Sequence, residues 1–199
     1  MDAAIALMAK PFIEGLVKDV VIPKVTNFYS NLKQGFKVDY VPKTEHFREY
    51  LFRSYKSYSV INTLVQNNSM MELKEIYVPL TLRSVNSAYP KDSITIDGFP
   101  MDFFDTNHHV LITDMAGMGK STITKRMFLD VVDSKYGIPI YIELRRLGVE
   151  HDIVSEIIMQ LNSLAKDVDK SLVLNLLQTG GFVFFLDGYD EIPISQLTF

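Results

Sequence analysis

The sequence predicts an α/β fold, with a parallel sheet flanked by helices and preceded by a small all-helical domain. In the second half of the chain, apolar runs of strand length alternate with helical patterns, as in a parallel sheet with crossover connections. The first 70 residues show helical spacing alone. The composition, 47% hydrophobic and 22% charged, indicates a globular chain and excludes disorder.

Residues 1–70 form the N-terminal helical domain of this prediction. The pattern over residues 2–36 is helical, and we expect Pro11 and Pro23 to break it. A second helix is expected to begin at a Thr44 cap, and a stripe of this kind usually packs into a core. The apolar residues on its stripe are Phe47, Leu51, Tyr58, Ile61 and Val65.

A connecting segment, residues 71–107, carries weaker signals. Residues 76–82 read as a short strand interrupted by Pro79, and such a strand lies at a sheet edge or is irregular. Residues 93–105 alternate apolar and polar positions around the turn-like pair Asp97-Gly98, which predicts a small hairpin.

The apolar run Val110–Thr113 reads as a core strand, and the glycine-rich turn Asp114–Thr122 follows it directly. Glycines let the backbone close around an anion, and the positive end of the following helix dipole adds to the attraction. Lys120 would reach the β- and γ-phosphates of a nucleotide, and the Ser121 hydroxyl would hold Mg²⁺. The residues expected to bind this cofactor are Ala116, Gly117, Met118, Gly119, Lys120, Ser121 and Thr122.

Asp114 stands where the usual phosphate-loop pattern has glycine, six residues before the lysine. A carboxylate beside a polyphosphate is repulsive unless it points away, so Asp114 bears on how tightly the loop holds a nucleotide. The simpler alternative is an ordinary strand-to-helix turn that happens to carry glycines. The acidic strand further along the chain favours the phosphate loop.

Helices and strands alternate after the loop. A helix is expected over residues 120–132, and the next strand starts at residues 137–139. A further helix begins at Asp152, its expected cap, and a short one over residues 172–177 ends at Gly180-Gly181. The helix after Asp152 is expected to bury Ile153, Ile157, Ile158, Leu161 and Leu164.

The last apolar run, Phe182–Leu186, has strand length, and its uninterrupted hydrophobicity is typical of a strand covered on both faces. Asp187 follows at its carboxyl end, the rim where open α/β sheets bind ligands, and is therefore expected to hold Mg²⁺, usually through water. Asp190 or Glu191 could orient or deprotonate an attacking water. The candidate catalytic residues are thus Lys120, Asp190 and Glu191. A solvated acidic turn is the alternative.

These motifs resemble the NACHT domain, a branch of the STAND class of signalling ATPases. In that family a small residue follows the magnesium-binding aspartate, and two acidic residues come two places further on. The residues that match are Gly188, Asp190 and Glu191. Residues 138–147 look like the family's second strand, and residues 176–181 like the lead-in to its acidic strand. The resemblance covers roughly residues 75–199 and implies a three-layer P-loop NTPase sheet, of which residues 108–199 are the N-terminal part.

The resemblance implies ATP and Mg²⁺ as cofactors and a bacterial antiviral switch as function. Bound nucleotide would hold the closed state, a sensed ligand such as a phage protein would release it, and ATP-bound subunits would self-associate. Tyr77 and Val78 are the candidates for contact with the adenine ring, and ordinary packing is the alternative role for both. Residues 1–70 would be an effector or assembly element, or else a brace packed against the ATPase.

Two other functions fit the same loop. A small-molecule phosphotransferase would need an arginine-rich lid, and the sequence shows none. A degenerate module would hold a nucleotide or a partner without turnover, and Asp114 favours it. The family's sheet has two more strands beyond the acidic one, so with the chain stopping at Phe199 we expect an incomplete sheet and, for this chain alone, binding rather than efficient hydrolysis.

The composition excludes several further classes. Without cysteine there is no disulfide framework and no cysteine-based metal site. No apolar run approaches the about 18 residues of a membrane span, and the apolar residues 3–9 lack the preceding positive charge of a secretory signal, so we expect a cytoplasmic protein. Basic residues are interleaved with acidic ones at a net charge of −4, so direct nucleic-acid binding is not expected.

Overall fold

Helices and short sheets of both antiparallel and parallel strands make up this mixed α/β fold. The computed structural model describes residues 11–35, 44–63, 69–85, 93–148, 150–162, 168–178 and 180–191. In these ranges two strand pairs are antiparallel and one is parallel. No helix within them is both long and apolar enough to cross a membrane.

The first helical segment continues through Pro23 instead of breaking there. Residues 11–16 are α-helical, Val17–Val21 form a π-helical turn, and helix α1 spans Ile22–Gly35. The wider turn ends with the backbone N–H of Ile22 donating to the carbonyl of Val17, five residues back. This local widening accommodates the proline, which lacks an N–H and would clash with a regular preceding turn.

Helix α2 spans Thr44–Ser59 and is shorter than its apolar stripe suggested. Strand β1, Val60–Thr63, follows at once and pairs antiparallel with β2, Ser69–Glu72. The β-branched residues at the start of β1 favour the strand over a further helical turn. Ile61 therefore lies on a strand, while Val65 and the side chain of Thr44 are outside the described residues.

The connecting segment forms helix α3 (Leu73–Ile76), strand β3 (Leu80–Arg83), strand β4 (Ser93–Ile96) and helix α4 (Met101–Thr106). β3 begins only after Pro79, because proline has no N–H to donate to the ladder. The expected hairpin within residues 93–105 does not form. β4 pairs instead with the upstream β3, and Asp97-Gly98 leads into α4.

No strand forms at Val110–Thr113, where a core strand was expected. Leu111 is 74% exposed, and no described strand hydrogen-bonds to this stretch. A strand needs a ladder partner for its N–H and C=O groups, and the apolar pattern alone does not supply one. The backbone therefore reaches the glycine-rich loop in an irregular conformation.

The second half of the chain follows the expected order of helix, strand, helices and strand. Its elements are α5 (Lys120–Ser134), β5 (Ile138–Glu143), α6 (Ile153–Leu161), α7 (Lys170–Gln178) and β6 (Phe182–Asp187). β5 and β6 are parallel, with Glu143 directly opposite Asp187. The cap at Asp152 is confirmed, because its carboxylate accepts the backbone N–H of Ser155 at 2.7 Å. Ile153 is 40% exposed rather than buried, and Leu164 lies outside the described residues.

β6 is covered on one face only among the described residues. Phe185 is buried, and its ring lies 6.2 Å from the ring of Phe128 on α5. Phe184 and Leu186 point to the other face and are 42% and 49% exposed. The expectation of a strand buried on both faces is therefore wrong for these residues, because side chains alternate along a strand and no described element covers the second side.

The N-terminal helices share one hydrophobic core with the α/β part. The ring of Tyr50 on α2 lies 6.5 Å from that of Phe128 on α5, and Phe47 lies 6.0 Å from Phe182 on β6. Arg53 donates from its guanidinium to the carbonyl of Gln160 on α6. Helix α2 therefore packs directly on α5, α6 and β6.

An ion cluster on α5 adds charged contacts to this packing. Asp133 accepts from Lys24 on α1 at 2.5 Å and from Lys74 on α3. Asp130 accepts from Lys74 at 2.9 Å and from Arg126 one turn earlier on its own helix. The helix that begins at the glycine-rich loop is thereby tied to both the N-terminal helices and the connecting segment.

Candidate functional site

The glycine-rich loop has the backbone of an anion-binding turn. Gly117 and Gly119 have φ angles of +83° and +90°, in the left-handed region that favours glycine. Helix α5 starts at Lys120, and no side chain caps it. The first N–H groups of a helix have no intrahelical partner, so they are available to an anion held in the loop. Ala116, Gly117 and Ser121 are exposed to solvent.

The ammonium of Lys120 folds back over this loop. It donates to the carbonyl oxygens of Asp114 at 2.7 Å and Met115 at 3.1 Å. Among the described residues, no carboxylate forms an ion pair with it. The loop thus combines free N–H groups with a positive charge that protein carboxylates do not neutralise, which suits a polyanionic ligand.

The Asp114 side chain forms a hydrogen bond with the adjacent backbone. Its carboxylate accepts the N–H of Met115 at 2.7 Å, and the side chain is exposed. The carboxylate therefore removes one N–H group from the entrance of the loop and adds a negative charge beside it. Both effects oppose the binding of phosphate.

Asp187 is the last residue of β6, and one oxygen of its partly buried carboxylate accepts a hydrogen bond. Its Oδ2 accepts from the hydroxyl of Tyr141 on β5 at 2.6 Å. Burial, with the hydrogen bond to Asp187 as the next cause, raises the pKa of the Tyr141 hydroxyl, so this group stays protonated and donates. No hydrogen bond to Oδ1 of Asp187 occurs in the described part of the chain, so this oxygen is open to a further ligand.

The two acidic residues after β6 differ in their contacts. Gly188 has a φ of +80° and leads into a single 3₁₀ turn, Tyr189–Glu191. The carboxylate of Glu191 lies 3.6 Å from the guanidinium of Arg145, which also contacts Glu143 at 3.1 Å. Asp190 is exposed and forms no ion pair with any described residue. Its carboxylate is therefore the freer of the two.

The loop and the acidic end of β6 lie at the same end of the sheet. Residues 135–137 join the end of α5 to the start of β5, whereas Phe128 in the middle of α5 contacts Phe185 near the end of the parallel strand β6, so the helix and the strands run in opposite directions. α5 has 15 residues and β5 has six, or about 22 Å and about 20 Å, and α5 packs on both strands. The first turn of α5 therefore returns to the level of Glu143 and Asp187.

Contacts along α5 agree with this arrangement. Lys125, one turn after Ser121, has its ammonium 5.9 Å from the ring centroid of Tyr58 on α2. The Tyr58 ring lies 4.9 Å from that of Tyr141, which bonds to Asp187. A short chain of contacts thus leads from Lys125, on the second turn of α5, to the expected metal carboxylate of Asp187.

A cavity of about 380 Å³ adjoins the loop on the side of the connecting segment. The loop residues Gly117, Met118, Gly119 and Thr122 form one wall. The opposite wall is apolar and consists of Ile61, Leu73, Ile76, Tyr77, Val78 and Leu80. Tyr77 is held in place by its hydroxyl, which donates to the carbonyl of Ile96 at 2.8 Å. The volume falls in the range of small-ligand sites.

Tyr77 and Val78, the candidates for adenine contact in the sequence, both line this wall, whereas no sequence pattern pointed to Ile61 and Leu73. The stripe on α2 suggested that Ile61 was helical, whereas it belongs to the β1–β2 hairpin. Tyr141 and Arg145, which contact the acidic residues, were also missed. The spacing of Tyr141 and Glu143 puts both on one face of β5, but only the register with β6 brings Tyr141 to Asp187.

The residues present fit a magnesium ion bound jointly with phosphates. No group of three or more His, Asp or Glu side chains in the described ranges could hold a metal by itself. Mg²⁺ is typically held by one or two protein ligands, several waters and substrate phosphate oxygens. Asp187 with its open oxygen and the exposed Ser121 hydroxyl meet that description.

Comparison with protein-family models, with curated proteins and with solved structures gives no match to this chain.

Proposed function

We propose that this chain binds ATP with Mg²⁺ between the glycine-rich loop and Asp187, as the nucleotide-binding part of a NACHT-type switch. The observation that carries the proposal is the loop itself: two left-handed glycines precede an uncapped helix and an ammonium that no carboxylate of the described residues pairs with. The partly buried carboxylate at the same end of the sheet supports a metal beside the phosphates.

Each site residue has a role in this proposal. The N–H groups of residues 116–122 cradle the phosphates, and Lys120 exchanges its bonds to loop carbonyls for bonds to the β- and γ-phosphate oxygens. Ser121 and Asp187 hold Mg²⁺, which would neutralise phosphate charge. Tyr77 and Val78 contribute the apolar wall for the adenine ring, a role that the adjoining cavity supports.

Hydrolysis would need a carboxylate to orient the attacking water while the terminal P–O bond breaks to give ADP and phosphate. Asp190 is the freer candidate, since the Glu191 carboxylate lies beside Arg145. This ion pair, together with the charge of Asp114, also favours the second candidate function, a module that binds nucleotide without turnover.

In the switch that we propose, nucleotide-controlled self-association follows release by a sensed ligand such as a phage protein, within a bacterial defence role. The shared core of α2 and α5 supports a brace role for the N-terminal helices. In that role, the helices stabilise the ATPase part by packing against it.

Replacing Asp114 by asparagine should strengthen nucleotide binding. Asparagine keeps an oxygen acceptor for the Met115 N–H and removes the charge, and a unit charge about 4 Å away in water is worth about 1 kcal/mol, or about fivefold in affinity. Isothermal titration with MgATP measures the change. An unchanged or weaker affinity would show that the carboxylate points away from the phosphates.

Replacing Asp190 by asparagine and Glu191 by glutamine separates the two candidate functions. The variant that lacks the water-orienting carboxylate should still bind MgATP, and its rate of phosphate release should fall by about 10²–10⁴-fold. Single-turnover assays with labelled ATP measure this loss. Wild-type protein that binds MgATP without releasing phosphate would favour the binding module, and normal release in both variants would reject the assigned roles.

A further inference from the structure

Tyr141 makes the only hydrogen bond to the Asp187 carboxylate within the described residues. The tyrosine is 2% exposed, and its hydroxyl lies 2.6 Å from Oδ2. A carboxylate at the end of a strand is otherwise free to rotate about its terminal bonds. The bond from Tyr141 fixes this rotation and leaves Oδ1 as the oxygen available to a ligand.

Tyr141 is itself held by helix α2 of the N-terminal segment. Its backbone N–H donates to the hydroxyl of Tyr50 at 3.0 Å, and its ring lies 4.9 Å from the ring of Tyr58. On the same edge of β5, the carbonyl of Tyr141 accepts from the side chain of Gln160 at 3.1 Å. Side chains from two helices therefore fix the strand at the residue that orients Asp187.

A purely structural role is the alternative, because a buried tyrosine hydroxyl usually finds some partner. The identity of the hydrogen-bond partner argues for a role in the site as well. The hydroxyl does not bond to a carbonyl inside the core, but to the carboxylate at the ligand-binding rim. Loss of a hydrogen-bond partner that orients a metal ligand typically lowers the metal affinity by about 10–100-fold.

We propose that Tyr141 is a positioning residue for the magnesium carboxylate Asp187, and that helix α2 sets its position through Tyr50 and Tyr58. This inference rests on the proposed function. It makes the N-terminal helices part of the nucleotide site, since a shift of α2 relative to β5 would turn the carboxylate. Nucleotide state and the N-terminal segment are thereby coupled through one hydrogen bond.

The test compares Tyr141→Phe with the wild-type chain in thermal unfolding with ATP, first in EDTA and then over a range of Mg²⁺ concentrations. The Mg²⁺ concentration at half-maximal stabilisation should rise about tenfold, the lower end for loss of such an orienting partner. Stabilisation by ATP in EDTA should not change, because the phosphate loop is intact. Tyr136→Phe is the matched control, since its hydroxyl bonds to Asp105 outside the site.

Two further variants keep the inference falsifiable. Tyr58→Leu removes the ring that packs on Tyr141 and should raise the Mg²⁺ midpoint in the same direction. In an Asp187→Asn background, Tyr141→Phe should have no additional effect on this midpoint, whereas a structural role would leave the two effects additive.

The outcomes distinguish this inference from the proposed function. A wild-type chain that ATP does not stabilise at any Mg²⁺ concentration rejects the proposed function. A wild-type chain with a clear Mg²⁺ requirement, which Tyr141→Phe and Tyr58→Leu leave unchanged, overturns the positioning role alone.

Discussion

Replacing Lys120 by alanine should abolish the thermal stabilisation that MgATP gives to the wild-type chain. A ligand at 100 times its dissociation constant stabilises a protein by about 2.7 kcal/mol, which for a chain of this size is about 5–10 °C in melting temperature. The Lys120 ammonium supplies the one positive side-chain charge of the loop in our proposal. Its loss leaves backbone N–H groups and the metal as the only contacts of the phosphates, and we expect the shift to fall to near zero. Differential scanning fluorimetry over an ATP titration measures it.

Lys170→Ala is the matched control for this experiment. Lys170 is also the first residue of a helix, α7, but no left-handed glycine loop precedes that helix in the described residues. Its replacement should leave the ATP-dependent shift intact. An ATP-dependent shift that survives in Lys120→Ala would count against the loop as the phosphate site.

Replacing Phe128 by alanine should cost about 3–5 kcal/mol of folding stability, the usual range for a fully buried aromatic side chain. Phe128 is 0% exposed, and its ring meets that of Tyr58 on α2 at 4.9 Å and that of Phe185 on β6 at 6.2 Å. Its removal opens a cavity where the N-terminal helices, α5 and the sheet meet. Urea unfolding followed by circular dichroism gives the free energy of unfolding.

Phe184→Ala serves as the control for the core. Phe184 is 42% exposed on the uncovered face of β6, so its loss should cost far less, within about 1 kcal/mol. A similarly small cost for Phe128→Ala would contradict the shared core. So would a separate unfolding transition of the N-terminal helices that the substitution leaves unchanged.

Local patterns were enough to predict the loop and the helices around it. The glycine-rich turn, the start of α5 at Lys120 and the Asp152 cap each depend on a few consecutive residues, and the structure has all three. The parallel pairing of β5 and β6 also followed from the alternation of strands and helices. Such signals are carried by residue type and spacing alone.

Features that depend on distant partners were not predictable in this way. The run Val110–Thr113 has the residues of a strand, but it lies outside every described sheet. Glu156 sits on α6 and is fully buried, because Arg146 and His151 from the preceding segment reach its carboxylate at 3.3 Å and 2.7 Å. The contact between Tyr141 and Asp187 likewise needed the register of two strands, which no local pattern specifies.

A crystal structure of this chain with Mg²⁺ and a non-hydrolysable ATP analogue tests the central proposal most directly. We expect the phosphates inside the loop, the Lys120 ammonium on the β- and γ-phosphate oxygens, and a metal about 2.0–2.1 Å from the Ser121 hydroxyl. The carboxylate of Asp187 should bind that metal directly or through one water, by the oxygen that Tyr141 leaves free. A nucleotide bound away from Lys120, or a metal that has no contact with Asp187 or its waters, would contradict the account.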